Sequence, residues 1–146
     1  MCEEMIKNPY RRVWACVNLD ALHDNLRQIA ACRKNDAGII AVIKADGYGH
    51  GGVPIARMLE DVDFMFGYAA ATYEEAHVLR EASVKKPILI LGYTFPYCYE
   101  EMIREEIRPA VYRRDTVEEL AEAAAKAGKK AKVHIKVDTG MGRIGI

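Results

Sequence analysis

Lys44 closes the apolar run Gly38-Ile-Ile-Ala-Val-Ile-Lys44 and opens the glycine-punctuated stretch Ala45-Asp-Gly-Tyr-Gly-His-Gly-Gly52. A β-branched run of that kind reads as a strand covered on both faces, as parallel strands are. Active sites of such folds gather at the carboxyl ends of the strands. An amine held there against low-dielectric surroundings has its charged form disfavoured, so it can act as a neutral nucleophile and form a Schiff base. Gly47, Gly49, Gly51 and Gly52 let the backbone approach a bound group closely, and Tyr48 supplies a phenol. The plainer alternative is a lysine that ends a strand and reaches into water. Arg143 follows Gly140-Met-Gly142, a loop flexible enough to bring a guanidinium over a ligand, and its planar fork suits a carboxylate. Histidine titrates near neutrality, which draws attention to His50, but its place among glycines fits loop structure better and it is kept out of the catalytic set.

The elements that must position these residues alternate. Val13 to Leu19 reads as a strand, and Asp20 as the cap of a helix whose face is Leu22, Leu26, Ile29 and Ala30. The Lys44 strand follows, then a short helix from Val53 to Leu59 with Pro54 in its first turn. Phe64 to Ala70 is an apolar strand, and Thr72-Tyr-Glu-Glu75 has capping-box spacing before a helix with Ala76 and Leu79 inward. Pro87 to Leu91 forms a strand, Pro96 to Glu105 a helix, and Arg108 to Tyr112 a strand. Asp115 with Glu118 starts a helix with Val117, Leu120, Ala121 and Ala124 on one face, ending at Gly128. Lys132 to Val137 is the last strand and carries Lys136. Periodicity alone leaves a barrel and an open doubly wound sheet equally placed, both built from right-handed crossovers. No repeat or low-complexity linker divides the chain, so residues 1–146 form one unit.

Composition removes several function classes. The 21 basic and 21 acidic side chains give no net charge and are interspersed, which is not the footprint of a nucleic-acid binder. Lys126, Lys129, Lys130 and Lys132 form the one basic cluster and read as a solvated helix end. Cys2, Cys16, Cys32 and Cys98 lack C-x-x-C spacing and fit reduced thiols in a cytosol, with no metal site. The amino terminus shows no signal-peptide pattern, and no apolar run nears the ~18 residues of a membrane span. The chain of 146 residues can build one core but not a complete (β/α)8 barrel, which takes roughly 250.

The stretch Ala41-Val-Ile-Lys-Ala-Asp-Gly-Tyr-Gly-His-Gly51 resembles the pyridoxal-phosphate (PLP) lysine motif of the alanine racemase family. His134-Ile-Lys-Val-Asp-Thr-Gly-Met-Gly-Arg-Ile-Gly145 resembles the family's other diagnostic segment, in the same order and at about the same separation. The resemblance decides for the barrel: an α/β chain forming the amino-terminal portion of a (β/α)8 TIM-type barrel, with residues 1–19 as leader and first strand and 20–146 as barrel units. It implies PLP as cofactor, Lys44 as the lysine that binds it and then serves one face of the substrate, and Tyr48 on the phosphate. It also implies Arg143 on the substrate carboxylate and the cofactor's phenolic oxygen, and Lys136 as a lysine that is carbamylated in many members to orient that arginine. Without the resemblance, Tyr48 is a loop aromatic, Lys136 a strand lysine paired with Asp138 or a glutamate, and Leu89 and Leu91 are pocket walls or plain core.

The activity so implied is interconversion of L- and D-alanine for cell-wall synthesis, in a cytoplasmic homodimer whose shared sites take a second acid/base, a tyrosine, from the partner subunit. No residue here matches that tyrosine, and the expectation is of an amino-terminal fragment inactive alone, without nucleic-acid or membrane partners. The rival readings are a racemase of the same fold for serine, lysine or broad substrates, a non-catalytic PLP-binding barrel protein, and an inert product of an incomplete gene.

Overall fold

The computed structural model describes residues 13–146. The leader expected before them, and Cys2 with it, lies outside the described residues. Helix α1, Leu19–Ala31, precedes strand β1, Ile39–Val42, and the single turn α2, Lys44–Tyr48. Then come α3, Gly52–Leu59; β2, Met65–Ala70; α4, Tyr73–Glu81; and β3, Ile88–Ile90. A 3-10 turn at Pro96–Cys98 leads into α5, Tyr99–Arg104, followed by β4, Ile107–Val111; α6, Arg114–Ala127; and β5, His134–Ile135.

All strand pairings are parallel and the spatial order is β1-β2-β3-β4-β5, the order of the chain. A doubly wound sheet reverses its order at a switch point. An unreversed run of βα units is an arc of an α/β barrel, so the fold is a partial one. Gly67 marks how closely β2 approaches the residue that leads into β3, because a Cβ there would overlap the Pro87 carbonyl oxygen.

Burial alternates along β3, where Ile88 and Ile90 are buried and Leu89 between them is only partly so. The buried set joins Tyr68, Ala70, Ile88, Ile90, Ile107 and Val111 of the sheet to Ile55, Leu59, Leu79, Met102, Ile103 and Leu120 of the helices. Tyr68 completes this layer with a polar tip, its hydroxyl donating to the Ala56 carbonyl at 2.7 Å. Arg80, at the end of α4, donates to the carbonyls of Val84, Lys86 and Glu105 at 2.7, 3.0 and 2.8 Å, tying the amino ends of β3 and β4 together. Burial pulls its guanidinium pKa down, against the opposing pull of Glu60, Glu105 and Glu106.

Several expectations fail here. Val13 to Asn18 is irregular rather than a strand, and Val13 is 87% exposed. A strand needs a neighbour to take its backbone hydrogen bonds, and none pairs with this segment among the described residues. The cap of α1 is Asn18, whose side chain accepts from Ala21 N at 3.0 Å, and Asp20 lies inside the first turn. The cap of α6 is Arg113, and Asp115 sits inside the first turn, pairing with that arginine. The buried face of α6 is Thr116, Leu120 and Ala123, leaving Val117 exposed. Cys32 and Cys98 are free thiols, but Cys16 is disulfide-bonded, against the reduced state expected of it.

Candidate active site

Lys44 stands where β1 leaves the sheet, at its carboxyl rim, and is half-buried. The turn it begins winds the wrong way for L-residues: Ala45, Asp46, Gly47 and Tyr48 have φ of 51, 51, 61 and 54°. Left-handed backbone costs a non-glycine residue roughly 1–2 kcal/mol, so several such residues in a single turn persist only where surroundings over-determine them.

Those surroundings are visible. Gly47 N donates to the Ile43 carbonyl at 3.0 Å and Gly51 N to the Asp46 carbonyl at 3.0 Å. The Asp46 carboxylate accepts from Gly52 N at 2.6 Å, capping α3. The Glu75 carboxylate, from the first turn of α4, accepts from Ala45 N at 2.9 Å through one oxygen and from Ala71 N at 2.8 Å through the other. Below it Ile43 N donates to the Ala69 carbonyl, so Glu75 continues the β1–β2 ladder one step past the strands. His50 contributes to the same turn, its Nδ1 lying 2.9 Å from the Gly47 carbonyl oxygen.

The turn brings Lys44 and Tyr48 together: the ammonium nitrogen lies 5.8 Å from the centre of the Tyr48 ring. Tyr48 is 72% exposed, so its hydroxyl is open to a ligand. The second segment lies across the sheet. Lys136 follows β5, its N–H donating to the Val111 carbonyl at 2.9 Å and its carbonyl accepting from Ile146 N at 3.0 Å. With Asp138 N donating to the Ile146 carbonyl, residues 136–146 close into a loop. Inside it the Asp138 carboxylate accepts from Gly140 N and Gly142 N, each at 2.9 Å. Arg143 is exposed in this loop, and among the described residues no hydrogen bond or ion pair joins its side chain to Lys136 or to the Lys44 turn.

An amine, a phenol and a guanidinium thus share the carboxyl rim of a parallel barrel arc. The model of the family described as "Alanine racemase, N-terminal domain" matches residues 17–146. The chain belongs to this alanine racemase family. "Alanine racemase 1" of Oceanobacillus iheyensis is 44% identical over 137 residues, which are 94% of this chain and 36% of that protein. Among solved structures, the alanine racemase of Clostridium difficile 630 superposes with a TM-score of 0.84 at 42% identity, covering 88% of this chain and 34% of that one. The histidine racemase of Leuconostoc mesenteroides subsp. sake gives 0.80 at 30% identity, covering 94% and 36%. The chain therefore spans about a third of the length of these racemases.

Within this member of the alanine racemase family, two residues that hold the Lys44 turn are not evident as such in the sequence. Glu75 is visible as the last residue of the capping box Thr72-Tyr-Glu-Glu75, and Thr72 does accept from Glu75 N at 3.4 Å. Its carboxylate, however, turns to Ala71 and Ala45. Asp46 stands within the motif, an aspartate six residues before the amide it accepts from, a spacing that signals a helix cap only once the turn is known. No helix among the described residues is long and apolar enough to cross a membrane.

Proposed function

We propose that this chain carries the cofactor-binding part of a PLP-dependent racemase that interconverts L- and D-alanine, with Lys44 as the residue that holds the cofactor. The observation that carries this reading is the position of Lys44, half-buried at the sheet's carboxyl rim and at the start of a left-handed turn fixed by hydrogen bonds accepted by Ile43, Asp46 and Glu75. The residues fit PLP: an amine for its carbonyl carbon, the exposed Tyr48 phenol for its phosphate, and space beside Gly49, where an added Cβ would meet nothing within 4 Å.

When bound, PLP supplies an electron sink for the pair left at the substrate Cα on loss of its proton. Once the substrate amine has displaced it from the cofactor, the freed Lys44 Nζ takes or returns that proton on one face. The Arg143 guanidinium holds the substrate carboxylate and the cofactor's phenolic oxygen, since a planar fork fixes orientation as well as charge. Lys136, carbamylated on Nζ, gives that guanidinium an anionic partner. The opposite face is assigned to a tyrosine of the partner subunit in a homodimer, as the family resemblance implies. The names of the relatives support alanine as substrate, and D-alanine supply for peptidoglycan is the role that the family resemblance implies.

The experiment replaces the matching segment of the Clostridium difficile enzyme with residues 17–146 of this chain, with and without Lys44→Ala. The unaltered chimera should racemise alanine and give a borohydride-fixed PLP adduct on Lys44, and the variant should do neither. An adduct of equal yield on another residue of the variant would overturn the assignment. The histidine racemase neighbour supports a second reading, the same chemistry on a larger side chain. A panel of alanine, serine, lysine and histidine presented to the chimera separates the two by kcat/KM.

A further inference from the structure

We propose that Glu75 is a positioning residue for Lys44, holding the amine at the rim by clamping the backbone on both sides of the gap between β1 and β2. The inference rests on the assignment of Lys44 above. Past the last ladder bond, the two strands diverge: β1 enters the left-handed turn and β2 runs on to Thr72 and α4. A diverging pair leaves two amides, Ala45 N and Ala71 N, with no strand carbonyl to accept them. The two oxygens of one carboxylate take one each, at 2.9 and 2.8 Å.

Both bonds are charge-assisted, and roughly twice as strong as neutral ones. Ala45 is the residue directly after Lys44 and the first of the turn with a left-handed φ. Fixing its amide therefore fixes the Lys44 carbonyl plane and the direction in which the lysine leaves the sheet. Glu75 itself is anchored at the start of α4, between Thr72, whose hydroxyl accepts from Glu75 N, and the buried Ala76. Neutral or shorter side chains cannot reproduce this. Glutamine offers one acceptor oxygen and an amide that repels a second N–H, and aspartate lacks the reach to span both amides.

The test uses the 146-residue chain with PLP itself as probe. After borohydride reduction and peptide mapping, the PLP label on Lys44, normalised to that on the exposed Lys126, should fall about tenfold in Glu75→Gln, the loss expected of a misplaced reactive group. Hydrogen exchange at Ala45 and Ala71 should quicken about tenfold in the same variant. Thr72→Ala removes the cap bond of the same helix without touching Ala45, and should leave both readouts unchanged. Equal losses of label in the two variants would reduce Glu75 to a helix-stability role and overturn the inference, as would unchanged Lys44 label in Glu75→Gln. If the unaltered chain takes no label on Lys44, the PLP assignment falls instead, and exchange at Ala45 still decides whether Glu75 holds the turn.

Discussion

Ile43 and Ile135 hold matching places, each in the segment that delivers a candidate site lysine to the carboxyl rim, yet Ile43 is 6% exposed and Ile135 is 70% exposed. The same contrast extends to the residues beyond each isoleucine. The turn after Ile43 is held by the sheet, by α3 and by α4 through Glu75. The loop after Ile135 is tied to β4 only at its start, by Lys136 N on the Val111 carbonyl, and beyond that is held by itself, through Asp138 and the backbone bonds at Ile146. Two motifs of equal diagnostic value are thus built by different physics: one conformation is imposed by tertiary contacts against local preference, and the other is satisfied locally.

Replacing the paired isoleucines breaks this comparison most strongly if it is wrong. Ile43→Ala removes a buried side chain from the layer between β1 and the helices, and should cost about 2–5 kcal/mol in denaturant unfolding. Ile135→Ala trims an exposed one and should stay within about 0.5 kcal/mol. Equal shifts in midpoint would mean that β5 is as well packed as β1.

Next in size is the aspartate of the turn. Asp46→Ala removes the acceptor of Gly52 N, leaves the amino end of α3 without its cap, and puts a residue less tolerant of left-handed backbone in the middle of the turn. Cap removal typically costs about 1 kcal/mol and a buried unsatisfied amide about 1–3 kcal/mol. The same substitution at Asp138 should leave the unfolding midpoint nearly unmoved and change only exchange at Gly140 and Gly142.

Legibility in the sequence divides along the same line. The rim position of Lys44 can be read from a β-branched run stopping at glycines, because strand propensity and loop punctuation are local signals. Its left-handed winding cannot. Ala45 and Tyr48 carry no local preference for it, Asp46 carries only the mild tolerance of a short polar side chain, and the carboxylate that secures Ala45 lies 30 residues further on. On α6 the error is one of rotation. Leu120 of the expected face Val117, Leu120, Ala121 and Ala124 is buried, but its buried companions are Thr116 and Ala123, each one residue round from Val117 and Ala124, and only the position of the sheet selects them. The first segment fails for a third reason, since alternation in Val13 to Leu19 marks capacity to pair, and pairing needs a neighbour. The order of the strands, by contrast, needs the family resemblance, because βα periodicity is shared by barrels and open sheets.

Arg143→Lys sharpens the comparison on the functional side. In the chimera with the Clostridium difficile enzyme, charge is kept while the fork is lost, so the PLP adduct on Lys44 should persist and kcat/KM for alanine should fall about tenfold, near 1.4 kcal/mol of transition-state stabilisation. Stability should not change, as Arg143 is exposed and makes no bond that folding depends on. An unchanged kcat/KM would make the arginine peripheral and leave the Asp138 loop without a chemical purpose.

The smallest effect concerns pH and separates the two segments without any substitution in the core. Backbone hydrogen bonds from Gly142 and then Gly140 hold the Asp138 carboxyl pKa below the usual aspartate value. A carboxyl whose folded pKa is lowered binds fewer protons folded than unfolded, so its contribution is fully present above the ordinary value of ~3.9 and is lost as pH falls through the folded one. The loop at 138–146 should therefore loosen below that ordinary value, seen as titrating amide resonances at Gly140 and Gly142 with a midpoint under it. Asp138→Asn should abolish the titration. Because this loop is held by its own aspartate and not by the core, its opening should leave exchange at Ala45 unaltered. If Ala45 and Gly142 lost protection together along the acid titration, the two segments would be one cooperative unit, and the contrast between an imposed turn and a self-held loop would fail.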